Sequence, residues 1–269
     1  MHPILNDIRL VAFDLDGTLI DSVPDLALAV DAALADLGLP AAGEARVRDW
    51  VGNGSLVLME RALRFADDAG AGAGEADPAT ALRGGAVNPS LGATDAIPGI
   101  GPPLRAVPGA SPDGASQAAD TALLEWAHAA FLTHYGRDPG AHTRLYPGVR
   151  DCLEGLRRRG LPLALVTNKP HAFIAPILEG FGLEAHFALC LGGDSLPEKK
   201  PHAAPLRHVA QHFGVAPEAC LMVGDSRHDI AAGKAAGFRT LAVPYGYNHG
   251  EPVRACAPDG VVESLAELV

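Results

Sequence analysis

Leu10-Val11-Ala12-Phe13-Asp14-Leu15-Asp16-Gly17-Thr18 is the stretch on which the fold of this 269-residue chain turns. Its apolar run ends in acids and a glycine, the pattern of a buried strand that delivers polar groups at its carboxyl end. Side chains alternate along a strand, so the two carboxylates fall on one side and Leu15 on the other. Two acids then face one small space. Both could coordinate Mg²⁺, a hard cation that takes oxygen ligands and keeps several waters besides.

The same grammar recurs downstream. Leu161 to Val166 runs into Thr167 and Asn168, Phe187 to Leu191 into Gly192, Gly193 and Asp194, Cys220 to Val223 into Gly224 and Asp225, and Thr240 to Val243 into Pro244. Helical patterns lie between these runs and stop at glycine: Val149 to Arg159, His171 to Phe181, Ala203 to Phe213 and Asp229 to Ala236. Alternation of this kind predicts an α/β fold, a doubly wound parallel sheet with a Rossmann-like core. Ligands bind such sheets beyond the carboxyl ends of the strands, which is where Asp14, Thr167 and Asp225 belong.

The alternation lapses from residue 21 to 141. Leu26, Val30, Ala33 and Leu37 recur at helical spacing, and further helical runs cover Ser55 to Asp68 and Asp120 to Tyr135. This predicts a helical cap over 21–141 inserted into a catalytic core made of 1–20 and 142–269. Within it, residues 69–118 hold 13 Ala, 10 Gly and 7 Pro and no aromatic residue. Such a composition buries little apolar area and reads as a loop.

The chemistry follows from charge. A carboxylate that attacks a phosphate dianion meets a repulsion of ~4 kcal/mol at about 4 Å and an effective dielectric near 20. A metal and a lysine must offset it. Lys200, held by the Pro201 that follows, is the expected lysine. Thr167 and Asn168 would donate hydrogen bonds to phosphate oxygens, and Asp225 would complete the Mg²⁺ set with Asp14 and Asp16. The spacing of the first two acids suggests a two-step displacement. Asp14 attacks phosphorus, while Asp16 protonates the leaving alkoxide and then activates water.

Asp14-Leu15-Asp16-Gly17-Thr18, the Thr167 strand end, Lys200-Pro201 and Gly224-Asp225-Ser226-x-x-Asp229, in that order, resemble the haloacid dehalogenase superfamily of phosphatases. The resemblance implies Asp14 as nucleophile, Asp16 as acid/base with a metal contact through its backbone carbonyl, and Thr167 and Lys200 on phosphate. It also implies Asp229 as a second acid behind the metal ligands. Trp50-Val51-Gly52-Asn53-Gly54, Val166-Thr167-Asn168-Lys169-Pro170 and Tyr245-Gly246-Tyr247-Asn248 look like the bacterial phosphoglycolate phosphatases. That narrower likeness implies hydrolysis of 2-phosphoglycolate. Gly52, Asn53 and Gly54 read either as a turn or as a cap loop that closes over the substrate, and Arg46, Arg61 and Lys169 are candidates to meet its carboxylate. Residues 69–118 do not match that pattern, and Ala203 stands where relatives often carry proline.

Other readings share these residues. Another phosphomonoesterase or a sugar-phosphate mutase would keep Asp14 and Asp16 and differ in what the cap admits. A receiver-like phosphoacceptor also gathers acids, Thr and Lys on a parallel sheet, but has no use for Asp16 two residues from the nucleophile or for an inserted cap. A net charge of −11 argues against nucleic acid as a partner. No segment reaches the ~18 apolar residues of a membrane span. Cys152, Cys190, Cys220 and Cys256 lack zinc or disulfide spacing, so a cytoplasmic setting is expected.

Overall fold

A computed structural model describes the backbone of residues 2–72 and 112–269, and the side chains of 2–69 and 120–269. β1 (Leu10–Phe13) pairs in parallel with β4 (Leu163–Val166) on one side and β6 (Cys220–Gly224) on the other. β5 (Leu189–Leu191) extends the sheet beyond β4, and β7 (Arg239–Ala242) and β8 (Gly260–Val261) extend it beyond β6, every pair parallel. All four residues of β1 are buried, as a central strand covered on both faces requires.

The period of two decides which cluster each residue joins. Val11, Phe13 and Leu15 pack with residues of α5 (Val149–Arg158) and α6 (Ile174–Phe181). Leu10 and Ala12 pack on the opposite face with α7 (Ala204–Phe213) and α8 (Arg227–Ala236). Asp14 therefore emerges on the α7 and α8 side, from which Lys200 and Asp229 also arrive. Leu15 is fully buried. Its truncation would cost about 2–5 kcal/mol and loosen both flanking acids.

The chain leaves the sheet through β2 (Ile20–Asp21) and returns through β3 (Arg144–Leu145), and the two strands pair antiparallel. Beside that pair, Asp25 accepts from His142 N at 2.9 Å and from Thr143 Oγ1 at 2.6 Å, joining the outgoing and returning segments. Between the two crossings lie α1 (Val23–Asp36), α2 (Glu44–Trp50), α3 (Ser55–Gly72) and α4 (Pro112–Gly136). They pack about a cluster of their own, in which Val30, Ala33 and Leu34 of α1 meet Ala127, Ala130 and Phe131 of α4. Among the described residues no helix is long and apolar enough to cross a membrane.

Three details differ from the sequence reading. α2 was not anticipated, because only Val47 of its seven residues is buried and no apolar period shows. β2, β3 and β8 have two residues each, too few for an alternation to register. The expected loop over 69–118 is helical at both ends, with α3 running to Gly72 and α4 starting at Pro112; residues 73–111 lie outside the described residues. A helix nucleated over Ser55 to Asp68 propagates readily into alanine, and proline is well suited to a first helical position.

Candidate active site

Asp14, Thr167 and Asp225 each follow the last residue of a strand, and β4, β1 and β6 are neighbours in the sheet. Three residues more than 150 positions apart at the extremes are thus delivered to one edge. Oxygens of Asp14, Asp225 and Asp229, all buried, lie within 4.8 Å of one another. Lys200 is the cation among them: its Nζ is 2.9 Å from Asp14 Oδ1 and 2.6 Å from Asp229 Oδ1. The aligned hydrogen bond goes to Asp229, so Asp14 Oδ1 is buried without one.

Asp229 is fixed by its own helix. Its Oδ2 accepts from Ser226 N at 3.0 Å and Ser226 Oγ at 2.6 Å, closing a capping box at the start of α8. With Oδ1 on Lys200, both oxygens are engaged. Asp225 accepts from Thr18 Oγ1 at 2.7 Å and from Tyr247 N at 2.6 Å. Its neighbours must be glycines: Gly17 has φ of +88°, and a Cβ there would stand 2.3 Å from Asp225 Oδ2. A Cβ on Gly246 would meet the same oxygen at 2.3 Å.

Burial, opposed by Lys200 and reinforced by Asp229, pushes the Asp14 carboxyl up to about 7. Burial with Asp229 and Asp14 raises Asp225 well above the usual carboxylate range. One lysine does not neutralise three carboxylates in a space this small. The surplus of negative charge and the unbonded Asp14 oxygen fit a divalent cation.

The Asp16 carboxylate does not stand with that of Asp14 as strand alternation alone would have it, a placement on which the expected metal contact through the backbone carbonyl does not depend. It is not one of the three clustered acids. It accepts instead from Ser22 Oγ at 2.5 Å and from Lys169 Nζ at 3.0 and 3.2 Å. β1 ends at Phe13, and the chain turns through Gly17 to β2, which carries the Asp16 side chain up the wall of the cleft. Lys169 is buried, with Nζ 4.6 Å from the Tyr135 ring centroid of α4. Burial alone would lower its pKa, but Asp16 and Tyr135 outweigh it and hold the ammonium above its usual value.

A cleft opens above these groups, lined by Asp14, Asp16, Thr167, Asn168 and Lys169 from the sheet side and by Gly52, Gly54 and Ser55 from the helical side. Thr167 Oγ1 accepts from Lys169 N at 3.2 Å, which leaves its own hydrogen to donate. The Asn168 side chain is engaged elsewhere. Its Nδ2 donates to Gly52 O at 3.0 Å and Lys200 O at 2.9 Å, so the side chain as placed ties the loop to the core and has no hydrogen left for a phosphate. Asn53 faces away from the cleft, bonded to His228 Nε2 at 2.9 Å and to Arg61 Nη2 at 2.9 Å. Lys199 Nζ donates to Asn53 O at 2.8 Å, so Lys199 seats the loop while Lys200 serves the acids.

Of the candidates for a substrate carboxylate, Arg46 bonds Ala42 O at 3.0 Å and covers Phe65, and Arg61 is engaged on the loop. Lys169 alone of the three reaches the cleft. Sequence reasoning missed Thr18, Ser22, Tyr135 and Tyr247. The Tyr247 hydroxyl accepts from Ser22 N at 3.1 Å and donates to Asp21, which pins the crossing out of the sheet. Tyr247 stood in a quoted motif without a role, and nothing in the local sequence marks Ser22 or Tyr135.

Comparison with known proteins agrees with this geometry. The family model described as haloacid dehalogenase-like hydrolase matches residues 8–237. The chain is 43% identical over 263 residues to a phosphoglycolate phosphatase of Escherichia coli strain K12, spanning 98% of this chain and 92% of that one. It is 42% identical over 261 residues to phosphoglycolate phosphatase 1 of Pseudomonas aeruginosa, spanning 97% and 78%. Among solved structures, a "predicted phosphoglycolate phosphatase" from Haemophilus somnus 129pt superimposes with a TM-score of 0.76 at 34% identity, covering 97% of this chain and 96% of that one. The family match takes in Asp14, Lys200, Asp225 and Asp229 together, and the relatives align nearly end to end: the chain belongs to the haloacid dehalogenase-like hydrolase family.

Proposed function

We propose that this chain is a Mg²⁺-dependent phosphatase that hydrolyses 2-phosphoglycolate to glycolate and phosphate through an aspartyl-phosphate on Asp14. The observation that carries the reading is the floor of the cleft, where Asp14, Asp225 and Asp229 crowd together with the single ammonium of Lys200 against Asp14 and Asp229. Such a site suits a phosphoryl group, whose transfer depends chiefly on positioning and charge stabilisation. The substrate assignment is drawn from the relatives' names.

Asp14 attacks phosphorus, and the bond to the leaving oxygen breaks as Asp16 delivers a proton to it. Water then attacks the acyl phosphate with Asp16 taking its proton, which frees Asp14 and releases inorganic phosphate. Thr167 donates its hydroxyl hydrogen to a phosphoryl oxygen. Lys200 offsets charge on Asp14 and is itself aimed by Asp229, whose rigidity comes from the capping box. Carboxylates of Asp14 and Asp225, with the backbone carbonyl of Asp16, would hold Mg²⁺. When bound, that ion neutralises phosphoryl oxygens so that an anion can approach a dianion.

Helices α1–α4 act as a cap that shelters the reaction, with Gly52, Asn53 and Gly54 as the loop that closes on the core. Its apolar lining from Leu26, Val51, Leu58 and Phe131 suits a small substrate better than a polyhydroxylated sugar. The four cysteines are free, in keeping with a reducing cytoplasm.

Phosphate release from 2-phosphoglycolate and from a panel of small phosphomonoesters, with Mg²⁺ and with a chelator, tests the reading. Release that needs Mg²⁺ and strongly prefers 2-phosphoglycolate is the expected result. Equal turnover across the panel would retain the phosphatase and reject the substrate. Phosphoryl exchange on a sugar without phosphate release would replace it with a mutase.

A further inference from the structure

Lys169 is the cation that lines the cleft among the described residues, since Lys200 lies beneath it. We infer that Lys169 recognises the substrate's carboxylate and so sets specificity for 2-phosphoglycolate, an inference that rests on the function proposed above. The geometry is fixed by Asp16. Lys169 Nζ is 3.0 Å from Asp16 Oδ1 and 3.2 Å from Oδ2. The leaving-group oxygen must come within a hydrogen bond of that same carboxylate to receive its proton. In 2-phosphoglycolate the carboxylate carbon is two bonds from that oxygen. A cation that touches Asp16 is therefore within reach of the carboxylate whenever the ester is in position to react.

Lys169 is the one charged donor on the described lining. Leu26, Val51, Leu58, Phe131 and Phe173 make up its apolar part, against which a carboxylate would lose water and gain no partner. Lys169 is also held in place. Its side chain is 3% exposed, its ammonium sits over the Tyr135 ring, and its backbone N–H is fastened to Thr167 Oγ1. An ammonium has three hydrogens and can serve Asp16 and a second carboxylate together. Lys169 thus couples the phosphate-binding strand end, the acid and the cap helix to one feature of the leaving group.

The test compares kcat/KM for 2-phosphoglycolate and for ethyl phosphate, which replaces the carboxylate by a methyl group, in wild type, Lys169→Met and Lys169→Arg. Wild type should prefer 2-phosphoglycolate. Lys169→Met should lower kcat/KM for 2-phosphoglycolate by about 100-fold or more and for ethyl phosphate by less than about 10-fold, collapsing the preference. An equal fall on both esters would overturn the inference and make Lys169 a holder of Asp16 only. Should Lys169→Met fail to fold by thermal melting, Lys169→Arg decides: a retained preference supports the inference, and ethyl phosphate turnover without preference overturns it. Wild type that does not prefer 2-phosphoglycolate would instead defeat the substrate assignment itself, before any variant is made.

Discussion

The floor of the cleft and its wall each join a lysine to carboxylates, in opposite proportions. On the floor, Lys200 faces Asp14 and Asp229 at 2.9 and 2.6 Å, with Asp225 in the same cluster. On the wall, Lys169 faces Asp16 alone, at 3.0 Å. The wall is close to neutral and self-sufficient, and the floor carries a surplus of negative charge that its own residues do not cancel. On the function proposed above, the floor takes up positive charge and the wall presents an acid and a cation to a leaving group. They differ in construction as well. Floor residues come from strand ends, the loop before α7 and the first turn of α8, whereas the wall reaches across to Tyr135 of α4.

The largest expected break in this comparison is Asp14→Asn, which should lower turnover by roughly 10⁴-fold or more, read as phosphate release. Its stability should move the other way. With a carboxyl pKa raised to about 7, the folded protein binds the proton more tightly than the unfolded chain, so ionising Asp14 weakens the fold as pH rises from about 4 through 7. Removing that charge should raise Tm in chelator at pH 8 and leave it little changed at pH 4. A Tm that falls equally at both values would count against the charge surplus.

Lys200→Met comes next, because it leaves buried acids without their cation. It should cost about 3–5 kcal/mol by urea unfolding in chelator. Lys169→Met strands one acid that is still bonded to Ser22, and should cost clearly less. Equal costs would erase the distinction between floor and wall.

The smallest effect is expected at the seat of the cap loop. Burial pushes His228 down to about 4, partly countered by Asp229, and its Nε2 contacts Asn53 at 2.9 Å. The unfolded chain takes up the proton first, so stability is lost as pH falls from about 6.5 towards 4. His228→Gln should reduce the drop in Tm between pH 7 and pH 5 by about 1–2 °C. An unchanged drop would mean that His228 is not a source of acid sensitivity.

The floor was largely legible beforehand because strand ends are local. An apolar run followed by Asp, Thr or Gly-Asp announces both the strand and the polar group it delivers, and parallel pairing then brings Asp14, Thr167 and Asp225 together. The wall was less legible. Strand alternation alone puts the Asp16 carboxylate beside that of Asp14, and the Asn168 side chain reads as a phosphate donor because it follows Thr167. Both expectations treated neighbours in sequence as neighbours in space. The turn at Gly17 and the approach of Gly52 to Asn168 redirect them.

Sequence by itself determined the alternating core, the helices between its first two strands and the placing of Asp14, Thr167 and Asp225, since each depends on periodicity or on groups carried at a strand end. Tertiary structure decided which partner each polar atom takes. Lys169 to Asp16 spans 153 residues, Thr18 to Asp225 spans 207, and Ser22 to Tyr247 spans 225. Such pairs leave no periodic trace, because they are selected by burial: a polar atom deprived of water must find whichever partner the packed chain brings within reach.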